Sequence, residues 1–337
     1  MRRLRDAGAV IVGKTNMSEF AFTGVGANPH FGTPGNPADR TRIPGGSSSG
    51  AAVSVADGMC EIAIGTDTGG STRIPAGLCG TVGYKPSKYR IPTDGAFPLS
   101  PTLDSIGPIA KTVADCARAD AIMAGEEPWV LQPASLGGLR FGIPQELPLE
   151  ELDQETAGQF EAAIGRLDAL DVQLVDVEFP IFDDMARVNS IATIATAEAY
   201  QIHREHLASH GSEFDPLVRA RIEMGRAVSN EDYAKMIRDR GELVRSMDAM
   251  LSDLDVLILP TTPIVAPTFT EISTPDGFQR ANRLLLRNTA IANFFDLCAI
   301  SIPIGGGPMP VGLMLFARRG HDRRLFSIAA AIETLRT

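Results

Sequence analysis

Two serines, Ser47 and Ser71, each close a Gly-Gly-Ser step, and they stand 24 positions apart. A serine hydroxyl is a weak nucleophile and needs a base close by. Glycine ahead of it opens backbone dihedrals closed to other residues. Successive N–H groups in such a turn present a fixed partial positive charge to a tetrahedral oxyanion. Between the two steps the sequence predicts a small-residue helix at 49–57 and a short apolar strand at 61–64. One Gly-Gly-Ser step reads as a tight turn. Two of them flanking a strand bring two hydroxyls and several free N–H groups to one place.

The stretch resembles the amidase signature family of serine amide hydrolases. The residues that carry the resemblance are Pro44-Gly45-Gly46-Ser47-Ser48, then Gly65-Thr66-Asp67-Thr68-Gly69-Gly70-Ser71, then Arg73 and Pro75. Ser49-Gly50 stands where the family usually has two glycines. The resemblance implies that Ser71 is the nucleophile. It implies that Ser47, following a cis peptide, is the bridging serine, and that the N–H groups of Thr68, Gly69, Gly70 and Ser71 form the oxyanion hole. Asp67, Arg73 and Ser48 would support the loop, the first two by hydrogen bonds and charge pairing. Further matching strings are GKTNM near the start, GLCGTVGYKPS after Ser71, Leu103 to Pro108, and PTTP after residue 259. They extend the likeness from residue 9 to about residue 334.

Composition narrows the alternatives. A net charge of −10 argues against non-specific nucleic-acid binding and against anionic membranes. No apolar run reaches spanning length, and the basic Met1-Arg2-Arg3 is not followed by the apolar stretch of a signal peptide. Cys60, Cys79, Cys116 and Cys298 lack C-x-x-C spacing. They read as free thiols, suited to a reducing cytoplasm. Gly8 to Thr15 fits the phosphate-loop pattern, but its spacer Ala9-Val10-Ile11-Val12 is strand-like and cannot wrap a phosphate. His203, His206 and His210 share one helix face, which raises a metal site, yet Arg204, Glu205 and Ser209 around them favour a solvated face. No Gly-x-Ser-x-Gly elbow supports a Ser-His-Asp hydrolase. No metal or organic cofactor is implied.

The elements that must position the serines read as one α/β domain over 1–337. Its mixed central sheet is covered by helices on both faces. Strands are predicted at 9–12, 139–144, 173–179, 255–260, 298–303 and 311–315. Helices are predicted at 2–7, 111–124, 154–170 and 321–335. Residues 185–251 read as largely helical, with breaks near Gly211 and Ser229, and as the part that shapes a substrate pocket.

In the family the base is a lysine on a strand upstream of the GKTN string. Lys14 and Lys85 align with other, non-catalytic positions. The expectation is therefore a chain without its N-terminal strands and helices, short of its base and weakly active, with an exposed edge or apolar face that favours self-association. The expected activity is hydrolysis of a small-molecule amide through a Ser71 acyl-enzyme, with Ser47 passing the proton. The alternatives are the glutamine-hydrolysing A subunit of a tRNA-dependent amidotransferase and a catalytically dead amide-binding module.

Overall fold

A computed structural model of the chain describes residues 1–335. An eight-stranded mixed sheet runs through it in the order β1-β3-β2-β7-β8-β6-β4-β5. The strands are β1 (Ile62–Asp67), β2 (Val82–Lys85), β3 (Ser105–Ala110), β4 (Arg140–Pro144), β5 (Gln173–Val177), β6 (Val256–Pro260), β7 (Cys298–Pro303) and β8 (Gly312–Ala317). β4 runs parallel to β5 and β6, and the other pairs are antiparallel.

Among the described residues twelve α-helices flank the sheet. They are α1 (Arg2–Asp6), α2 (Ser49–Ala56), α3 (Arg73–Cys79), α4 (Val113–Ala124), α5 (Gln154–Asp168), α6 (Ile181–Val188), α7 (Ile194–His210), α8 (Pro216–Glu223), α9 (Asn230–Met250), α10 (Pro275–Arg287), α11 (Ala290–Phe294) and α12 (Asp322–Glu333). Their ends follow local chemistry. Thr112 caps α4 by accepting from the Asp115 N–H, and Gly125 closes the helix in the left-handed region. Ser229 and Asp232 form a reciprocal capping box on α9. That cap is the physical basis of the break expected near Ser229.

Alternation along the central strands explains why helices lie on both faces. Val256 and Ile258 of β6, with Leu313 and Leu315 of β8, join the core under α4, α5 and α12. Leu257, Leu259, Met314 and Phe316 point the other way, into the core under α6, α7, α9 and α11. A strand buried on both faces carries an unbroken apolar run, as β6 does.

One predicted strand does not form. Residues 9–12 have no strand pairing, and Val10 and Val12 are 84% and 74% exposed. Apolar, β-branched residues supply propensity, but a strand exists only where a neighbour takes its backbone groups. The sheet edge at β1 is paired with β3 alone. The phosphate-loop reading falls as well, since residues 13–15 are exposed coil with no α-helix directly after them. Among the described residues no helix is long and apolar enough to cross a membrane.

The histidine face divides. His206 and His210 are exposed or nearly so, as a solvated face requires. His203 instead is fully buried, against the rings of Phe20, Phe97 and Phe214 at 4.2, 5.6 and 6.1 Å. These rings come from three distant segments, which the helix pattern alone could not show. No metal-binding group of three or more such side chains occurs among the described residues. Neither ring nitrogen of His203 has a hydrogen-bond partner. Burial, then the neighbouring His206, lowers its pKa from the ordinary 6.5. A histidine with a depressed folded pKa favours folding fully above the unfolded value, and that stability is lost as pH falls below it. Urea midpoints should therefore drop as pH falls from about 6.5 toward 5, and His203→Phe should remove part of that slope. An unchanged slope in the variant would refute a neutral, buried His203.

Candidate active site

Ser71 sits two residues before α3 and shortly after β1, in a turn that ends the strand at its C-terminal edge. Ser47 lies just before α2. The Gly46–Ser47 peptide is cis. The Ser48 N–H donates to the Ser71 carbonyl at 3.2 Å, so the two Gly-Gly-Ser turns meet as the spacing required. Ser48 Oγ also donates to the Thr66 carbonyl at 3.4 Å. Ser47 is fully buried and Ser71 nearly so. The Ser47 hydroxyl has no hydrogen-bond partner among the described residues.

Beneath the Ser71 turn lies a fully buried ion pair. Asp67 Oδ1 accepts from Arg73 Nη2 at 2.9 Å, and Oδ2 accepts from Arg73 Nε at 3.1 Å. The Gly70 N–H, the Thr72 N–H and the Thr72 hydroxyl also donate to this carboxylate, at 2.8, 3.2 and 2.8 Å. Burial pushes the Asp67 carboxyl up, but Arg73, then Lys85 and Asn293, outweigh it and hold it well below the usual range. Asp67 is thus a permanent anion whose partners define the turn.

This pairing limits the oxyanion hole. The Gly70 proton is committed to Asp67 Oδ1, which corrects the expectation of four free donors. The N–H groups of Thr68, Gly69 and Ser71 remain as the set to consider. Gly70 is itself required: its φ is +131°, and a Cβ there would collide with Thr289 Oγ1.

Neither lysine weighed in the sequence reaches Ser47. Lys14 is exposed. Lys85 is buried, and its Nζ donates to the Pro86 and Leu297 carbonyls at 2.8 Å each. Burial lowers the Lys85 pKa to about 8.

Ser71 opens into a small cavity of about 40 Å³, walled by Ala21 to Thr23, Thr68, Gly69, Leu99, Ala195, Arg221 and Leu286. Of these, Ala195 lies on α7 and Arg221 on α8. Arg221 was not singled out from the sequence. It stands on the buried side of α8 beside Val218 and Ile222, the one signal that could have marked it. Its Nη1 donates to the Phe22 carbonyl at 3.2 Å, and its guanidinium lies 4.4 Å from the Phe22 ring centre. No carboxylate among the described residues pairs with it. Burial alone lowers its pKa, to about 10, so it stays charged at neutral pH. Thr289 and Asn293 were missed too, and both contact the Ser71 turn.

Known proteins resemble this chain in sequence and fold. The family model described as Amidase matches residues 1–326. The chain is 37% identical over 342 residues to 2-amino-5-chloromuconic acid deaminase of Comamonas testosteroni, covering 99% of this chain and 73% of the relative. A crystal structure of an amidase superposes with a TM-score of 0.89 at 34% identity, over 99% of this chain and 76% of that one. The A subunit of the glutamyl-tRNA(Gln) amidotransferase of Thermotoga maritima gives 0.83 at 33% identity, over 99% and 75%. The chain thus spans about three quarters of each of these three proteins. With its paired glycine-serine turns, the family match over residues 1–326 and these likenesses, the chain belongs to the amidase family.

Proposed function

We propose that this chain hydrolyses the C–N bond of a small carboxylic amide that also bears a carboxylate. Ser71 Oγ attacks the amide carbon, and the N–H groups around it receive the developing oxyanion. Ser47 passes the proton toward the leaving amine. The observation that carries the substrate class is Arg221. A half-buried guanidinium without a carboxylate partner among the described residues, in the same small cavity as the nucleophile, favours an anionic group on the ligand. The relative named as acting on an aminochloromuconic acid fits a carboxylate-bearing substrate. A glutamine side-chain amide, as in the amidotransferase reading, carries a carboxylate too and belongs in the same panel.

Ser47, buried next to the Ser48 whose N–H bonds the Ser71 carbonyl, supports this relay. A small-molecule amide and an assembly of copies or subunits remain the partners proposed, and no cofactor enters the scheme.

The test is ammonia release from matched amides with and without a carboxylate. Acid amides should be preferred. Arg221→Met should raise their KM by about 10- to 100-fold, since a hydrogen bond to a charged group is worth roughly 1.5–3 kcal/mol. Neutral amides should be unaffected by the change. Equal KM values for both classes in the parent chain would remove the carboxylate from the proposal.

A further inference from the structure

Two carbonyls of the Ser71 turn point at one short helix. Asn293 Nδ2 donates to the Asp67 carbonyl at 2.9 Å and to Asp67 Oδ1 at 2.9 Å. Thr289 Oγ1 donates to the Gly69 carbonyl at 2.6 Å. Thr289 and Asn293 are both buried. They are four residues apart, so they stand one above the other on one face, about 5–6 Å apart. One short stretch of chain therefore grips both carbonyls at once.

The Thr289 bond controls more than a carbonyl. Gly69 C=O and Gly70 N–H belong to one rigid peptide plane. Thr289 holds its oxygen, and Asp67 Oδ1 holds its N–H at 2.8 Å. A plane fixed at both ends sets the directions of the N–H groups on either side, those of Gly69 and Ser71. Thr289 reaches this plane because Gly70 has no Cβ to block it.

We propose that Thr289 is a positioning residue for the oxyanion-binding turn. It touches no reacting atom and acts through the Gly69–Gly70 peptide. The proposal rests on the reading of Ser71 as the nucleophile of amide hydrolysis.

The variants are Thr289→Val, which keeps the shape and removes the hydroxyl, and Thr289→Ser, which keeps the hydroxyl. Thr289→Ala replaces the valine variant should that one fail to fold. Each full-length chain is measured for kcat and KM on an amide substrate, for hydrogen exchange of the 68–71 amides, and for melting. Thr289→Val should lower kcat by about 10- to 100-fold, approaching the loss of one oxyanion donor. KM should hold, and exchange at 69–71 should speed up. Thr289→Ser should restore both. A valine variant with parental kcat would overturn the proposal, as would equal losses in the valine and serine variants, which would mark packing as the cause. A parent chain without turnover would instead sink the hydrolysis reading, and the exchange data would still decide whether Thr289 holds the turn.

Discussion

Ser71→Ala is expected to reduce amide turnover by roughly ten-thousand-fold or more, to the level of the remaining binding and oxyanion contacts. The size follows from the chemistry: the variant loses the covalent route, while the donors of the turn stay in place. Ser47→Ala should cost less, about 10²–10⁴-fold, the range for a positioned proton-transfer group. Rates of ammonia release, with urea unfolding of each variant to correct for folded fraction, decide the order. A Ser47 variant slower than the Ser71 variant would reverse the roles.

The second large effect is on stability. Asp67→Asn should destabilise the chain by about 3–5 kcal/mol, the cost of leaving one partner of a buried pair uncompensated. Arg73 is fully buried. Its other polar contacts are Asn293 Oδ1 at 2.8 Å and Met314 Sδ at 3.2 Å, and neither carries charge. The asparagine also loses part of the acceptor set that holds the Gly70 N–H, the Thr72 N–H and the Thr72 hydroxyl. Urea unfolding at neutral pH reads the effect directly as a lower midpoint. A midpoint within error of the parent would show that Arg73 is solvated or re-paired, and that the ion pair does not hold the turn.

The parts of the site that were legible lie close together in sequence. Ser47, Ser71 and the turn between Asp67 and Arg73 are set by local glycine geometry and short spacing, and the structure joins them through the Ser48–Ser71 bond. The central strands were legible because β6, β7 and β8 are buried on both faces and carry long apolar runs. Residues 9–12 carry the same kind of run without a pairing neighbour, so periodicity predicted a strand that does not form.

What was not legible depends on contacts across long separations. Thr289 reaches Gly69 over 220 positions, and Asn293 reaches Asp67 over 226. Arg221 meets the Phe22 carbonyl over 199. Nothing in the local pattern of α8 or α11 says which backbone their polar residues will face. His203 shows the same limit, since its helix face is solvated on one turn and capped by three phenylalanine rings on another.

The most direct measurement of the central claim is labelling of the folded chain with a fluorophosphonate, read by intact mass, with Ser71→Ala as control. One adduct per chain, mapped to Ser71 and absent from the variant, is the predicted result. A folded parent chain that takes no label, or a Ser71→Ala chain that still does, would contradict Ser71 as the nucleophile.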